Sequence, residues 1–276
     1  MATPTLRAFT LTGADGGPLR GDIRTAGHDR PAVVICHGFK GFKSWGYFPV
    51  IADRLARAGC TAVAFNFSGS GVGETETFSE PERFAHVTYS GEVSDLARVL
   101  EAVAGGSLGL QPPAVGVLGH SMGGGIAVLQ AARDSRIGAL VTWAATARFG
   151  RLWRPEQVPD WRRTGTLDVL NQRTGEILKL ATDMLDDLER NALSLDVDRA
   201  ARAIRVPWLI AHGTADESVP VDDARSLHAA NPGSELLLLD DAGHTFGIAH
   251  PWSGSNKAFD RLSQSTVAWF ARHLLR

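Results

Sequence analysis

The sequence predicts an α/β fold: a mostly parallel, doubly wound sheet with helices on both faces and a small inserted cap. Three observations carry this reading. Short unbroken apolar runs recur at residues 32–36, 60–65, 114–118 and 137–143, and such runs are strands covered on both faces. Stretches with helical spacing separate them, and strands that alternate with helices join through right-handed crossovers into a parallel sheet. The rhythm stops at Ala145 and resumes near residue 204. The core is therefore expected to comprise residues 1–145 and 204–276, with 146–203 inserted as a cap.

Taken in order, residues 6–11 and 19–25 read as strands joined by the turn-rich loop Gly13-Ala14-Asp15-Gly16-Gly17-Pro18. The run 32–36 ends in His37-Gly38-Phe39-Lys40-Gly41. A helix is expected from Tyr47 to Ala58, with Ile51, Leu55 and Ala58 on one face, stopping at Gly59. The strand at 60–65 ends at Asn66-Phe67-Ser68-Gly69-Ser70-Gly71. Over 90–104, Val93, Leu96, Leu100 and Val103 align at helical spacing. Inside the insertion, Thr166 to Leu180 alternates in polarity around Gly175, which predicts a small hairpin, and helical spacing returns from Thr182 to Asn191. The core then continues as strand 206–211, helix 221–230, strand 235–239 and helix 258–275.

The totals narrow the function classes. A chain of 276 residues, 44% apolar and 21% charged, suits one large α/β domain or a domain with an insertion. Its 28 Lys and Arg against 30 Asp and Glu leave a net charge of −2, and the basic residues are scattered, so no nucleic-acid partner is expected. The first residues lack the apolar core of a signal peptide. No apolar run approaches the ~18 residues needed to span a bilayer, so no membrane segment is expected. Cys36 and Cys60, both in apolar runs, read as buried free thiols that suit a reducing, cytoplasmic setting.

The chemistry concentrates in Val115-Gly116-Val117-Leu118-Gly119-His120-Ser121-Met122-Gly123-Gly124-Gly125. An apolar strand, a glycine-flanked serine and an immediate helix are what a nucleophile elbow requires. Side chains at 119 and 123 would collide with neighbouring backbone, which glycine avoids. The pattern alone is weak evidence, arising by chance about 0.2 times in a chain of this composition. The chain does carry a second copy, Gly105-Gly106-Ser107-Leu108-Gly109. That copy follows a helix and runs into Pro112-Pro113, so Ser107 is a loop serine and Ser121 the candidate nucleophile.

A serine hydroxyl needs a base, and the base an orienting acid. Two loops directly after late strands supply them: Asp216 in His212-Gly213-Thr214-Ala215-Asp216, and His244 in Ala242-Gly243-His244. The order Ser121, Asp216, His244 is the one expected of a nucleophile elbow on such a sheet. Asp240 and Asp241 lie too near His244 in sequence to serve as the acid. The backbone N–H groups of Met122 and Phe39 are the candidate oxyanion donors. His37, His120 and His212 read as loop-anchoring residues. No pair of histidines or acids has metal-ligand spacing, so neither a metal nor another cofactor is expected. Aromatic residues around the mouth, Trp45, Trp143, Trp153 and Phe246 foremost, could line a pocket for an aromatic or medium-chain acyl group. The arginines Arg148, Arg151, Arg154, Arg162 and Arg163 could instead meet an anionic substrate or form a solvated face.

His37-Gly38-Phe39, Gly119-His120-Ser121-Met122-Gly123-Gly124, His212-Gly213-Thr214-Ala215-Asp216 and Ala242-Gly243-His244 together make the chain resemble the α/β-hydrolase superfamily. Within it the chain is most similar to bacterial feruloyl/cinnamoyl esterases and dienelactone-hydrolase-like enzymes. The resemblance implies a serine hydrolase, in the first instance a carboxylesterase acting on small-molecule esters through Ser121, Asp216 and His244. Carbon–carbon hydrolase and peptidase activities use the same triad, and a non-catalytic binding protein on this scaffold often lacks one of its members. One departure stands out. Many superfamily members carry Asp-x-Arg-Gly-x-Gly after the fourth core strand, where this chain has Asn66-Phe67-Ser68-Gly69-Ser70-Gly71, so a charge pair bracing the oxyanion loop is expected to be missing.

Overall fold

The computed structural model describes residues 3–27, 29–171 and 175–275. The chain opens with an antiparallel hairpin, β1 (Thr5–Thr12) and β2 (Pro18–Thr25). Then follow β3 (Ala32–Cys36), α1 (Phe48–Arg57), β4 (Thr61–Phe65), α2 (Pro81–Ala85), α3 (Tyr89–Ala104), β5 (Val115–His120), α4 (Met122–Ala131) and β6 (Ile137–Trp143). The segment after β6 holds α5 (Val158–Thr164), the hairpin β7 (Thr166–Leu170) and β8 (Ile177–Ala181), α6 (Asp183–Arg190) and α7 (Val197–Ala203). The core ends with β9 (Trp208–Gly213), α8 (Val221–Ala230), β10 (Glu235–Leu239) and α9 (Lys257–Leu274).

The main sheet has eight strands in the order β1-β2-β4-β3-β5-β6-β9-β10, with β2 antiparallel to β4 and every pair from β4 to β10 parallel. Every residue of β3, β4, β5 and β9 is buried, the reason these strands carry no polarity alternation. Two apolar layers cover the sheet. One contains α3, α4 and elements of the segment after β6; the other contains α1 and α9. Cys36 and Cys60 are buried free thiols, and burial pushes the Cys60 thiol up to about 11. Among the described residues no helix is long and apolar enough to cross a membrane.

The topology places the site. The chain runs from β3 to β4 on one side, then returns to lay β5 on the other side of β3, pairing Cys36 with Gly119. Loops leaving the carboxyl ends of two such neighbours diverge and open a crevice between them. His37-Gly38-Phe39 and Ser121 are the first residues out of these two strands.

Candidate active site

Ser121 sits in the sharp turn between β5 and α4 with φ 57° and ψ −123°. A non-glycine residue there carries strain of order 1–3 kcal/mol, tolerated only where the surroundings over-determine it. Here its N–H donates to Trp143 O at 2.9 Å, and its carbonyl accepts from Gly124 N at 3.0 Å, Gly125 N at 3.2 Å and Thr146 N at 3.3 Å. A Cβ on Gly123 would lie 2.1 Å from the His37 carbonyl oxygen, so α4 can start this close to β3 only without a side chain. On the facing loop, a Cβ on Gly38 would fall 2.8 Å from Ser121 Cβ. The main chain leading into Phe39 therefore lies directly against the hydroxyl-bearing residue.

The other two groups arrive from the ends of β9 and β10. Their loops are stitched together by Thr214 N to Leu239 O and Ala215 N to Ala242 O, each at 3.0 Å. His244 Nε2 stands 3.0 Å from Ser121 Oγ, and His244 Nδ1 stands 2.8 Å from Asp216 Oδ2. A carboxylate only accepts, so Nδ1 carries the proton and Nε2 presents its lone pair to the serine hydroxyl. Asp216 is fully buried through its side chain, whereas His244 keeps 20% of its side chain exposed at the cavity floor. Burial opposes the Asp216 charge, but hydrogen bonds from His212, His244 and the Val219 N–H outweigh it and hold the carboxyl well below the usual carboxylate range.

The remaining histidines anchor loops. His120 Nε2 donates to the His244 carbonyl at 3.1 Å, and burial, reinforced by the neighbouring His244, pushes its pKa down to about 3, so it stays neutral. His37 Nδ1 donates to Gly38 O at 2.8 Å while Nε2 accepts from Phe67 N at 3.2 Å. It thereby ties the loop after β3 to the loop after β4. At 66 the expected gap is filled by a neutral contact, Asn66 Oδ1 accepting the Lys43 N–H at 2.6 Å, and around it charged groups brace the loops. The Lys43 ammonium pairs with Asp22 and Glu76. Arg83, from α2, bonds the Ser68 carbonyl through Nε at 2.9 Å and a terminal nitrogen at 2.7 Å.

Above Ser121 lies a cavity of about 560 Å³. Its floor is Ser121, His120 and His244; its walls include Phe39, Trp45, Tyr47 and Phe48; its roof is Leu152, Trp153, Leu167, Val169, Asn171 and Leu180, all from the segment after β6. Lys40 Nζ donates to the Leu170 carbonyl at 3.0 Å and so fastens the roof hairpin to the loop after β3. Among the described residues no group of three or more His, Cys, Asp or Glu could hold a metal ion.

The pattern of the alpha/beta hydrolase fold family matches residues 31–202. The chain belongs to that family. It is 28% identical over 227 residues to the 2,6-dihydropseudooxynicotine hydrolase of Paenarthrobacter nicotinovorans, an alignment spanning 79% of this chain and 54% of that protein. The chain thus covers about half the length of that relative. The ferulic-acid-bound structure of Est1E from Butyrivibrio proteoclasticus superposes with a TM-score of 0.74 at 18% identity, covering 97% of this chain and all (100%) of that one. The dienelactone hydrolase of Anabaena variabilis superposes with a TM-score of 0.66 at 17% identity, covering 99% of each chain.

In this alpha/beta hydrolase the structure brings Ser121, His244 and Asp216 into one hydrogen-bonded line and sets Phe39 beside them. Met122 is buried at the first turn of α4. Trp45 and Trp153 line the cavity; Trp143 and Phe246, expected beside them, do not. Both are fully buried in the layer of α1 and α9, beneath the cavity wall, where Trp143 packs edge-on against Tyr47, Phe246 and Phe259 and donates to Thr266 Oγ1 at 2.9 Å. The last residue of a strand can face either layer, and Trp143 faces α9. Three of the five arginines after β6 are engaged away from the cavity: Arg151 pairs with Asp223, Arg162 with Asp186 and Glu189, and Arg163 with Asp160. Sequence reasoning missed Lys40, Tyr47, Asn171 and the hairpin residues Leu167, Val169 and Leu180 as lining. The alternation within the hairpin was the available signal, because residues of one parity must share a face.

Proposed function

We propose that the protein is a serine hydrolase that cleaves small or aromatic acyl esters through an acyl-enzyme. The observation that carries this reading is the unbroken line from Ser121 Oγ through His244 to Asp216, with separations of 3.0 and 2.8 Å. His244 takes the hydroxyl proton as Ser121 attacks the acyl carbon, then returns it to the departing alcohol. Asp216 keeps the imidazole in the Nδ1–H tautomer and stabilises it while protonated. The main-chain N–H groups of Phe39 and Met122 receive the developing oxyanion, and the helix that begins at Met122 adds its positive end. Water then enters by the same route, activated by His244, and releases the acid.

Residues 146–203 act as the cap, and their apolar face selects the acyl group. A cavity of about 560 Å³ with an aliphatic and aromatic wall suits a short or aromatic acyl chain better than a charged one. The ferulic acid bound to Est1E supports this choice. A fluorophosphonate probe should label the wild-type chain and fail to label Ser121→Ala. A panel of p-nitrophenyl acetate, butyrate and ferulate esters, run against peptide and diketone substrates, then fixes the reaction class. Persistent labelling of Ser121→Ala removes Ser121 as nucleophile.

A further inference from the structure

Asp216 touches two imidazoles. Its Oδ1 accepts the main-chain N–H groups of Ser218 and Val219, both at 2.9 Å. Its Oδ2 accepts His244 Nδ1 at 2.8 Å and also faces His212 Nε2 at 3.3 Å. His212 is wholly buried at the end of β9. Its Nε2 lies 2.9 Å from the Val219 carbonyl, which can only accept, so the proton sits on Nε2. That leaves the lone pair on Nδ1, which is buried with no hydrogen-bond partner. A neutral imidazole is thus held with its one N–H directed at the turn that carries Asp216, while its other nitrogen goes unmet. Burying an unmet acceptor is unfavourable, so packing alone is a poor account of a histidine here; an apolar side chain would fill the space without that cost.

We propose that His212 is a positioning residue for the proposed reaction: its Nε2–H is shared between Val219 O and Asp216 Oδ2, locks the 216–219 turn, and offsets part of the negative charge on Oδ2, the same oxygen that serves His244. This rests on the reading of Ser121, His244 and Asp216 given above. The ionisable groups that face this arrangement are Asp216 on its own loop, His244 on the loop after β10, His120 at the end of β5 and Tyr47 beside α1. Without the second donor, Oδ2 carries more of the charge toward His244. The imidazolium form is then favoured, and the acid limb of the kcat/KM profile moves to higher pH. The carboxylate also loses a hydrogen bond that it accepts from the neutral imidazole and one wall of its seat, which should lower kcat about 10- to 100-fold while leaving KM for a neutral ester nearly unchanged.

The test compares the full chain with His212→Leu, which removes the donor, and His212→Gln, whose side-chain nitrogen reaches the place of Nε2. Activity on p-nitrophenyl acetate across pH and the low-field NMR signal of the His244 Nδ1 proton are both read. His212→Leu should lower kcat, shift the acid limb upward and displace the proton signal, and His212→Gln should restore most of each. If His212→Leu does not fold, His212→Asn, too short to reach Oδ2, takes its place. A folded donor-less variant with kcat, pH profile and proton signal unchanged overturns the proposal, as does a His212→Gln chain no better than His212→Leu. The proton signal is read in the resting protein. It therefore decides the role of His212 even if the wild-type chain resists fluorophosphonate and hydrolyses no ester, the result that would defeat the functional reading itself.

Discussion

Ser107 and Ser121 stand at the centres of the same five-residue pattern and occupy opposite kinds of ground. Ser107 lies in the turn after α3, its hydroxyl bonded to the Ala102 carbonyl at 3.3 Å, with Gly106 and Gly109 both at positive φ. Those glycines let the chain reverse and do nothing more. At Ser121 the serine itself has positive φ, and the glycine at 123 is there because another strand's carbonyl occupies the space a side chain would need. In the first case glycine permits a bend. In the second it permits two backbones to touch, and the touching forces the serine out between β3 and β5. The motif is therefore informative only through what crowds it.

The sharpest way to break the comparison is to remove the partners that Ser121 has and Ser107 lacks. His244→Ala should lower kcat by roughly 10³ or more, measured on p-nitrophenyl acetate; near-full turnover would take His244 out of its assigned role. Next in size is the crowding itself. Gly123→Ala sets a methyl 2.1 Å from the His37 carbonyl, a backbone atom that cannot swing away. Overpacking of this kind costs about 1–3 kcal/mol, and the displaced Gly38-Phe39 stretch should take activity down with it. Urea unfolding and kcat on the same preparation would read both, and an unchanged midpoint would show that the elbow has slack.

A smaller effect separates two buried carboxyl groups by pH. Burial, aided by the charge of Asp95, pushes the Glu92 carboxyl well above the usual range, while Asp216 is held below it. For Glu92 the folded value exceeds the unfolded value of about 4.3. Its stabilising contribution is whole below that pH and is lost as pH rises toward the folded value. Asp216 runs the other way: its contribution is present above about 4 and lost as pH falls toward its depressed folded value. Glu92→Gln should therefore raise the urea midpoint at pH 8 and leave it unaltered at pH 4. The smallest effect expected is the control. Ser107→Ala should leave turnover and labelling within about twofold of wild type, as surface changes away from special features do.

Much of this arrangement was legible in the sequence. The buried strands announced themselves because a strand covered on both faces is almost wholly apolar, and β3, β5 and β6 fell where the apolar runs lay. The meeting of Ser121, Asp216 and His244 was legible because each lies in a loop just past a strand. The short helices α2, α5 and α7 were not, since five to seven residues give too few turns for a helical period to show. The layer faced by Trp143 and Phe246 was also hidden, because it depends on how α9 packs. The brace at Asn66 could not be read either: the carboxamide oxygen takes a main-chain N–H from Lys43, a contact no spacing in the sequence encodes.

The hydrogen bond from His120 to the loop of residue 244 ends on the main-chain carbonyl of His244, which a change of side chain there does not remove. Deleting the His244 ring should leave the loop in place and open a ring-shaped slot beside the serine hydroxyl, on a face already open to solvent. A small heterocycle dissolved in the buffer could occupy the slot, so free imidazole should return part of the lost turnover to His244→Ala and none to Ser121→Ala.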